Sequence, residues 1–218
     1  LAFQRELEFY QENEKIHSNL LLPYQVVQFD QNRAFQSIVD RGQGLILLNA
    51  EPFFTDISQL KNLEAIQQKI ITALDRLNEL HQLGWIHGDL KPDHFRQMDN
   101  ACKLIDFEQS FKLQSPILEM NATPHYMAPE LFHGQSKSVQ SDLYTFGIIL
   151  YEWMTQTKLH ANSYRDWGVL HCQQLEMQLP KQLNYFLPLL LGLTQKHLEY
   201  RLKNVFEAKN MLNNINLS

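Results

Sequence analysis

The run "SDLYTFGIILYEWM", Ser141 to Met154, is apolar on nearly every side of a helical projection, so it is stable only with protein all round it. A helix of that kind needs other elements to cover it. One is plain: between Asn62 and Leu83 the apolar residues Leu63, Ile66, Ile70, Leu74, Leu77 and Leu80 recur at steps of three and four, marking one buried face, and Gly84 supplies a stop. With 218 residues, 44% of them hydrophobic and 20% charged, the chain can bury one substantial core or two small ones. The expectation is a largely helical body built round 141–154.

Ahead of residue 49 the pattern changes. Residues 3–15 read as a charged amphipathic helix, and 24–29, 34–39 and 44–49 read as strands, the last most clearly. A short strand is expected at 102–107, followed by no sustained periodicity as far as Pro129; long irregular segments inside a compact domain are usually functional or mobile. Further helices are expected at 182–196 and 204–214, the last opened by Asn204 and Glu207 as a capping box. The apolar run "YFLPLLLGL" is too short to cross a bilayer and is broken by Pro188 and Gly192, so it reads as a buried helix and no membrane span is expected. A net charge of -5 argues against a nucleic-acid partner. Cys102 and Cys172 lack the spacing of a redox or zinc pair, which fits a reducing cytoplasm. No basic leader followed by an apolar stretch opens the sequence, nor does an initiator methionine, which suggests a trimmed or incomplete chain.

The chemistry gathers in "WIHGDLKPDHF", residues 85–95, which holds two aspartates, a lysine and two histidines. Taken alone, Asp-Leu-Lys-Pro reads as a solvated turn with Pro92 at its corner. Asp142, beside Ser141, reads as a helix cap; Glu130 and Arg201 as a structural ion pair; His81 and His87 as packing or backbone-bonding residues; and Phe146, Tyr151 and Trp153 as core.

The order of the segments says more. "IHGDLKPDHF" resembles the catalytic loop of the protein kinase superfamily, "LIDFEQS" (104–110) its metal-binding segment, "ATPHYMAPE" (122–130) the end of its activation segment, and "SDLYTFGIILYEW" its central helix, with Arg201 placed to pair with Glu130. The resemblance implies that Asp89 orients the attacking hydroxyl, that Lys91 reaches the transferred phosphoryl group, that Thr123 braces both, and that Asp106 binds a divalent metal. It also implies that Asp142 reaches back to brace the catalytic loop, that Glu6 is the glutamate of the family's helix C, and that "NAEPF" (49–53) is the hinge contacting adenine through the backbone of Asn49, Ala50 and Glu51.

Four departures stand against the family pattern. Within these residues nothing matches the glycine-rich loop over the ATP phosphates or the strand lysine that pairs with Glu6; both would precede Leu1. The second metal-binding asparagine is replaced by His94, a poor ligand for magnesium but an acceptable one for manganese or zinc, though its plainer role is a hydrogen bond. Glu108 replaces a glycine, stiffening its turn and adding a carboxylate near the metal. Gly88 removes the arginine that would grip a phosphorylated activation segment, although Ser110, Ser115 and Thr123 remain candidate phosphosites.

The sequence therefore predicts an α+β, protein kinase-like bilobal fold: a truncated β lobe at 1–48 and a mainly α-helical lobe at 49–218, with the catalytic loop at 85–95 and the activation segment at 106–130. The resemblance implies transfer of phosphate from ATP, with Mg2+ or Mn2+, to Ser/Thr hydroxyls of protein substrates by a cytoplasmic enzyme. Two alternatives stay open: a pseudokinase that holds a protein partner without catalysis, and a phosphotransferase acting on small alcohols such as aminoglycosides or choline, which "HGD" and "DFE" also resemble.

Overall fold

The computed structural model of the protein describes residues 2–13, 19–28, 42–114 and 122–215. At its centre runs α4 (Val139–Thr155), in which Phe146, Ile148, Ile149 and Leu150 have no exposed surface. The helix starts two residues before the apolar run because Ser138 caps it: its side chain accepts from Ser141 N–H, and Ser141 Oγ takes the Ser138 N–H at 2.7 Å. That reciprocal pair does the capping and releases Asp142 from it.

The elements that cover α4 follow the apolar periodicity. Helix α2 (Leu63–Gln82) is capped by Asn62, which accepts from Ala65 N–H at 2.9 Å, and it buries Ile66, Ile70, Leu74, Leu77 and Leu80. Helix α7 (Val205–Asn213) packs on α2, and α6 (Leu187–Leu193) packs on α4. The α4–α6 approach is close enough to need Gly147: a Cβ there would lie 2.6 Å from Thr194 Cγ2 and 2.9 Å from Leu193 Cβ. Short helices α3 (Pro129–Phe132) and α5 (Tyr164–Val169) complete the helical part, and α5 runs into a π turn at Leu170–Gln174.

The strands are few and short. Strands β1 (Tyr24–Gln28) and β2 (Gln43–Leu47) pair antiparallel with Tyr24 opposite Leu47. Strands β3 (Glu51–Pro52), β5 (Phe95–Met98) and β6 (Ala101–Leu104) form a second sheet in that order, and β4 (Trp85–Ile86) pairs with β7 (Phe111–Lys112). Leu104 N–H donates to Leu20 O at 2.8 Å, fastening the amino-terminal segment to β6. Helix α1 (Ala2–Glu12) sinks Phe9 and Tyr10 into the core, and Tyr24 Oη donates to Tyr10 O at 3.0 Å.

Several expectations need correcting. The strand expected at 102–107 ends at Leu104, because Asp106 adopts a left-handed backbone with φ 66° and turns the chain away. The helix expected at 182–196 is a 3-10 stretch, Lys181–Phe186, followed by α6; Pro188 sits in the first turn of α6, where its missing N–H costs nothing. In α7, Asn204 caps as expected, but Glu207 reaches back to Lys203 N–H at 2.8 Å, one residue short of the reciprocal box. Tyr151 is only partly buried, while Phe146 and Trp153 are core. The strand expected at 34–39 lies outside the described residues.

Candidate active site

The loop between β4 and β5 owes its shape to α4. Asp142, 2% exposed, points one carboxylate oxygen at His87 N–H (2.9 Å) and the other at Gly88 N–H (3.0 Å), and His81 Nε2 lies 3.0 Å from the first. Burial works to raise its pKa, but His81, His87 and the Gly88 N–H outweigh it and hold the carboxyl below the ordinary range. His87 is itself fully buried, with Nε2 3.2 Å from Ile105 O; burial, then His94, push its pKa down to about 4, so it stays neutral.

Asp89 is held on both oxygens. Oδ1 accepts from Thr123 N–H at 3.0 Å and Thr123 Oγ1 at 2.8 Å, and Oδ2 faces Lys91 Nζ at 2.9 Å. Burial opposes ionisation, yet Lys91 and Thr123 together lower the pKa. Thr123 precedes the 3-10 turn Pro124–Tyr126, which α4 anchors through Thr145 Oγ1 to Tyr126 O (2.8 Å) and Glu152 to His125 (2.5 Å).

Asp106 stands across from this group, with Oδ2 3.0 Å from His94 Nε2. The hydrogen bond from His94 lowers its pKa against the effect of burial. Behind it, Phe107 is fully buried, stacked on Phe9 with centroids 3.8 Å apart and planes 14° apart. Phe107 N–H donates to Glu6 Oε1 at 3.2 Å. Burial pushes the Glu6 carboxyl up to about 7, partly offset by that N–H and assisted by Asp106 and Glu108. The glutamate therefore has a backbone partner that the sequence did not reveal.

Of these residues Asp89 and Thr123 line a small pocket with Gly88 and Asp142, while His94 and Asp106 border a separate, larger cavity of about 410 Å³. Leu22, Leu47 and Ile105 form apolar walls, Asn49 and Ala50 one rim, and His94 and Asp106 a polar end. Glu51 does not line it, being held in β3 opposite Gln97. Arg96, which the sequence did not single out, does line it and donates from its guanidinium to Ala50 O. Among the described residues no three His, Cys, Asp or Glu side chains gather as a metal cage. One carboxylate and one imidazole, whose buried Nδ1 has no hydrogen-bond partner, suit a divalent ion that arrives with phosphate oxygens rather than a resident one.

Two candidate phosphosites are already committed: Ser110 is 1% exposed and donates to His87 O at 3.1 Å, and the Thr123 hydroxyl serves Asp89. Ser115 lies outside the described residues. Glu130 and Arg201 form a buried bidentate pair at 2.7 and 2.8 Å.

A protein kinase domain model matches residues 2–211. The chain belongs to the protein kinase family. It is 38% identical over 88 residues to a cGMP-dependent protein kinase of Toxoplasma gondii, a match covering 40% of this chain and 9% of the relative. It is 44% identical over 85 residues to the serine/threonine-protein kinase RUNKEL of Arabidopsis thaliana, covering 36% of this chain and 6% of the relative. A probable serine/threonine-protein kinase PknB of Lactococcus lactis is 31% identical over 160 residues, 70% of this chain and 24% of the relative. The kinase domain thus spans a small part of the length of the curated relatives it matches. No helix of the described kinase residues is long and apolar enough to cross a membrane.

Proposed function

We propose that this kinase domain transfers the terminal phosphoryl group of ATP to Ser/Thr hydroxyls of protein substrates, with Mg2+ or Mn2+. The observation that carries the reading is Asp89, ionised and gripped by Thr123 and Lys91, with the same Lys91 ammonium near enough to favour the ionised form of Asp106, which lines a cavity together with His94. Bound nucleotide and metal would supply the electrophilic phosphorus and the neutralising charge.

The chain's own residues do the rest. Asp89 orients the attacking hydroxyl and takes its proton as the new P–O bond forms and the bond to the leaving diphosphate breaks. Lys91, 2.9 Å from Asp89, offers N–H groups to the phosphoryl oxygens, where charge accumulates. Asp106 and His94 would hold the metal, and the rim at Asn49 and Ala50 would meet the base. Residues 1–48 would belong to the smaller lobe and 49–218 to the larger, the substrate being a protein in the cytoplasm. The test is intact-mass spectrometry of the native-length protein after incubation with ATP and each metal, beside Asp89→Asn. Phosphate increments only in the wild type support the reading.

One observation favours a second reading, a binding module without catalysis. The Arg96 guanidinium already occupies the Ala50 carbonyl, an acceptor that a base would otherwise use. No increment with either metal, together with no thermal stabilisation by nucleotide, would turn the assignment to that reading.

A further inference from the structure

Gly88 stands beside the residue proposed to take the proton, and its lack of a side chain is enforced. Its φ is +78°, and a Cβ built on it would lie 2.9 Å from Gln109 O, 3.1 Å from Lys137 Cδ and 3.2 Å from Lys137 Nζ. The first contact is backbone and cannot yield cheaply. The other two show what fills the space instead: the end of a lysine side chain from the turn between α3 and α4. Lys137 is only 6% exposed. Its backbone is fixed as well, since the next residue, Ser138, is the reciprocally bonded cap of α4.

A buried ammonium costs far more than an apolar group of the same length unless carboxylates face it. Here Asp89 and Asp142 favour its charged form, while burial first, and Arg5 of α1 second, oppose it. The two carboxylates flank Gly88: Asp142 accepts its N–H, and Asp89 follows it in the chain. A methionine would fill the same volume without the desolvation, so packing alone does not explain a lysine here.

We propose that Lys137 is a positioning residue for phosphoryl transfer, placing its ammonium in the volume that Gly88 leaves and holding the Asp89 carboxylate ionised and in place. The charge that the family pattern has at position 88 is supplied beside it by a residue distant in sequence. The inference rests on the assignment of Asp89 above, and its test separates the two.

Lys137→Met keeps the stem and removes the charge; Lys137→Arg keeps the charge. The native-length wild type and both variants are compared for kcat and KM, for melting temperature, and for the titration of the Asp89 carboxyl by 13C NMR. Among the described residues Lys91 pairs with Asp89 and Thr123 donates to it, Lys137 lies beside Gly88 within reach of the Asp89 charge, and Asp142 stands across Gly88. Lys137→Met is expected to lower kcat at least about tenfold with KM for ATP within about twofold, and to move the Asp89 titration to higher pH. Lys137→Arg should recover most of the rate and leave the titration where it was. An unchanged Asp89 titration in Lys137→Met, or equal damage from Met and Arg, overturns the inference and leaves Lys137 a packing residue. If the wild type transfers no phosphate, the assignment of Asp89 falls, and the titration alone decides whether Lys137 acts on it.

Discussion

Thr123 donates twice to one oxygen of Asp89, from its backbone N–H at 3.0 Å and its hydroxyl at 2.8 Å. The hydroxyl can be removed without the other. Thr123→Val should therefore weaken, but not abolish, the hold on Asp89. A lost hydrogen bond to a charged group is worth about 1.5–3 kcal/mol, and the surviving N–H keeps the effect near the lower end. Asp89 loses a donor that lowers its pKa, so the acid limb of the pH–rate profile should move to higher pH and the rate should fall about tenfold. Thr123→Ser should restore both. Steady-state kinetics across pH read the result, and a Val variant with an unshifted acid limb counts against it.

Glu6 makes stability depend on pH in the opposite sense from most carboxylates. Its folded pKa is raised from 4.5 to about 7, so the folded state binds the extra proton between those values. Stability from this group is complete below about pH 4.5 and declines as pH rises to about 7. Glu6→Gln keeps an oxygen for Phe107 N–H and removes the charge. Without nucleotide or metal, it should match wild type at pH 4 and exceed it at pH 8 by on the order of 1–3 kcal/mol. Urea unfolding at both pH values is the measurement, and a gap of equal size at each would exclude this origin.

The Arg201–Glu130 pair is a different kind of stabiliser. Both side chains are buried, and Arg201 also donates to Gln195 O at 2.8 Å and Gln140 O at 3.1 Å. Arg201→Leu leaves the Glu130 carboxylate buried without its partner, at a cost of about 3–5 kcal/mol. Adding Glu130→Leu should recover part of that loss, because the stranded charge disappears while the carbonyls that Arg201 served still lack its N–H groups. Chemical denaturation of the single and double variants tests this; equal stability of the two would show that the ion pair is not the source.

What the sequence made legible follows from which interactions are local. Helix α2 was readable because its buried face repeats every three or four residues, and the Asn204 cap because a cap is a short-range bond. The kinase resemblance placed Asp89, Asp106, Thr123 and Asp142 in order along the chain, and the fold bonds Thr123 to Asp89, sets Asp142 against the backbone of His87 and Gly88, and pairs Asp106 with His94. Other features depended on distant partners and had no local signature. The bend at Asp106 replaced strand with a left-handed residue, and the bond between Glu6 and Phe107 spans a hundred residues. Arg96 and Lys137 carry no motif and stand apart in sequence from the groups they meet. Only the tertiary structure puts one against Ala50 and the other against Gly88.

The stack of Phe9 on Phe107 has a mechanical meaning. With rings 3.8 Å apart and the Glu6 bond alongside, α1 and the Asp106 turn form one lever: a shift of the helix cannot be absorbed between them. The outer face of α1, carrying Glu8, Gln11 and Glu12, is exposed. A load on that face would be passed through the stack to the Asp106 turn, and a ligand held at Asp106 would in turn change how firmly the face is gripped, because the coupling between two sites is reciprocal.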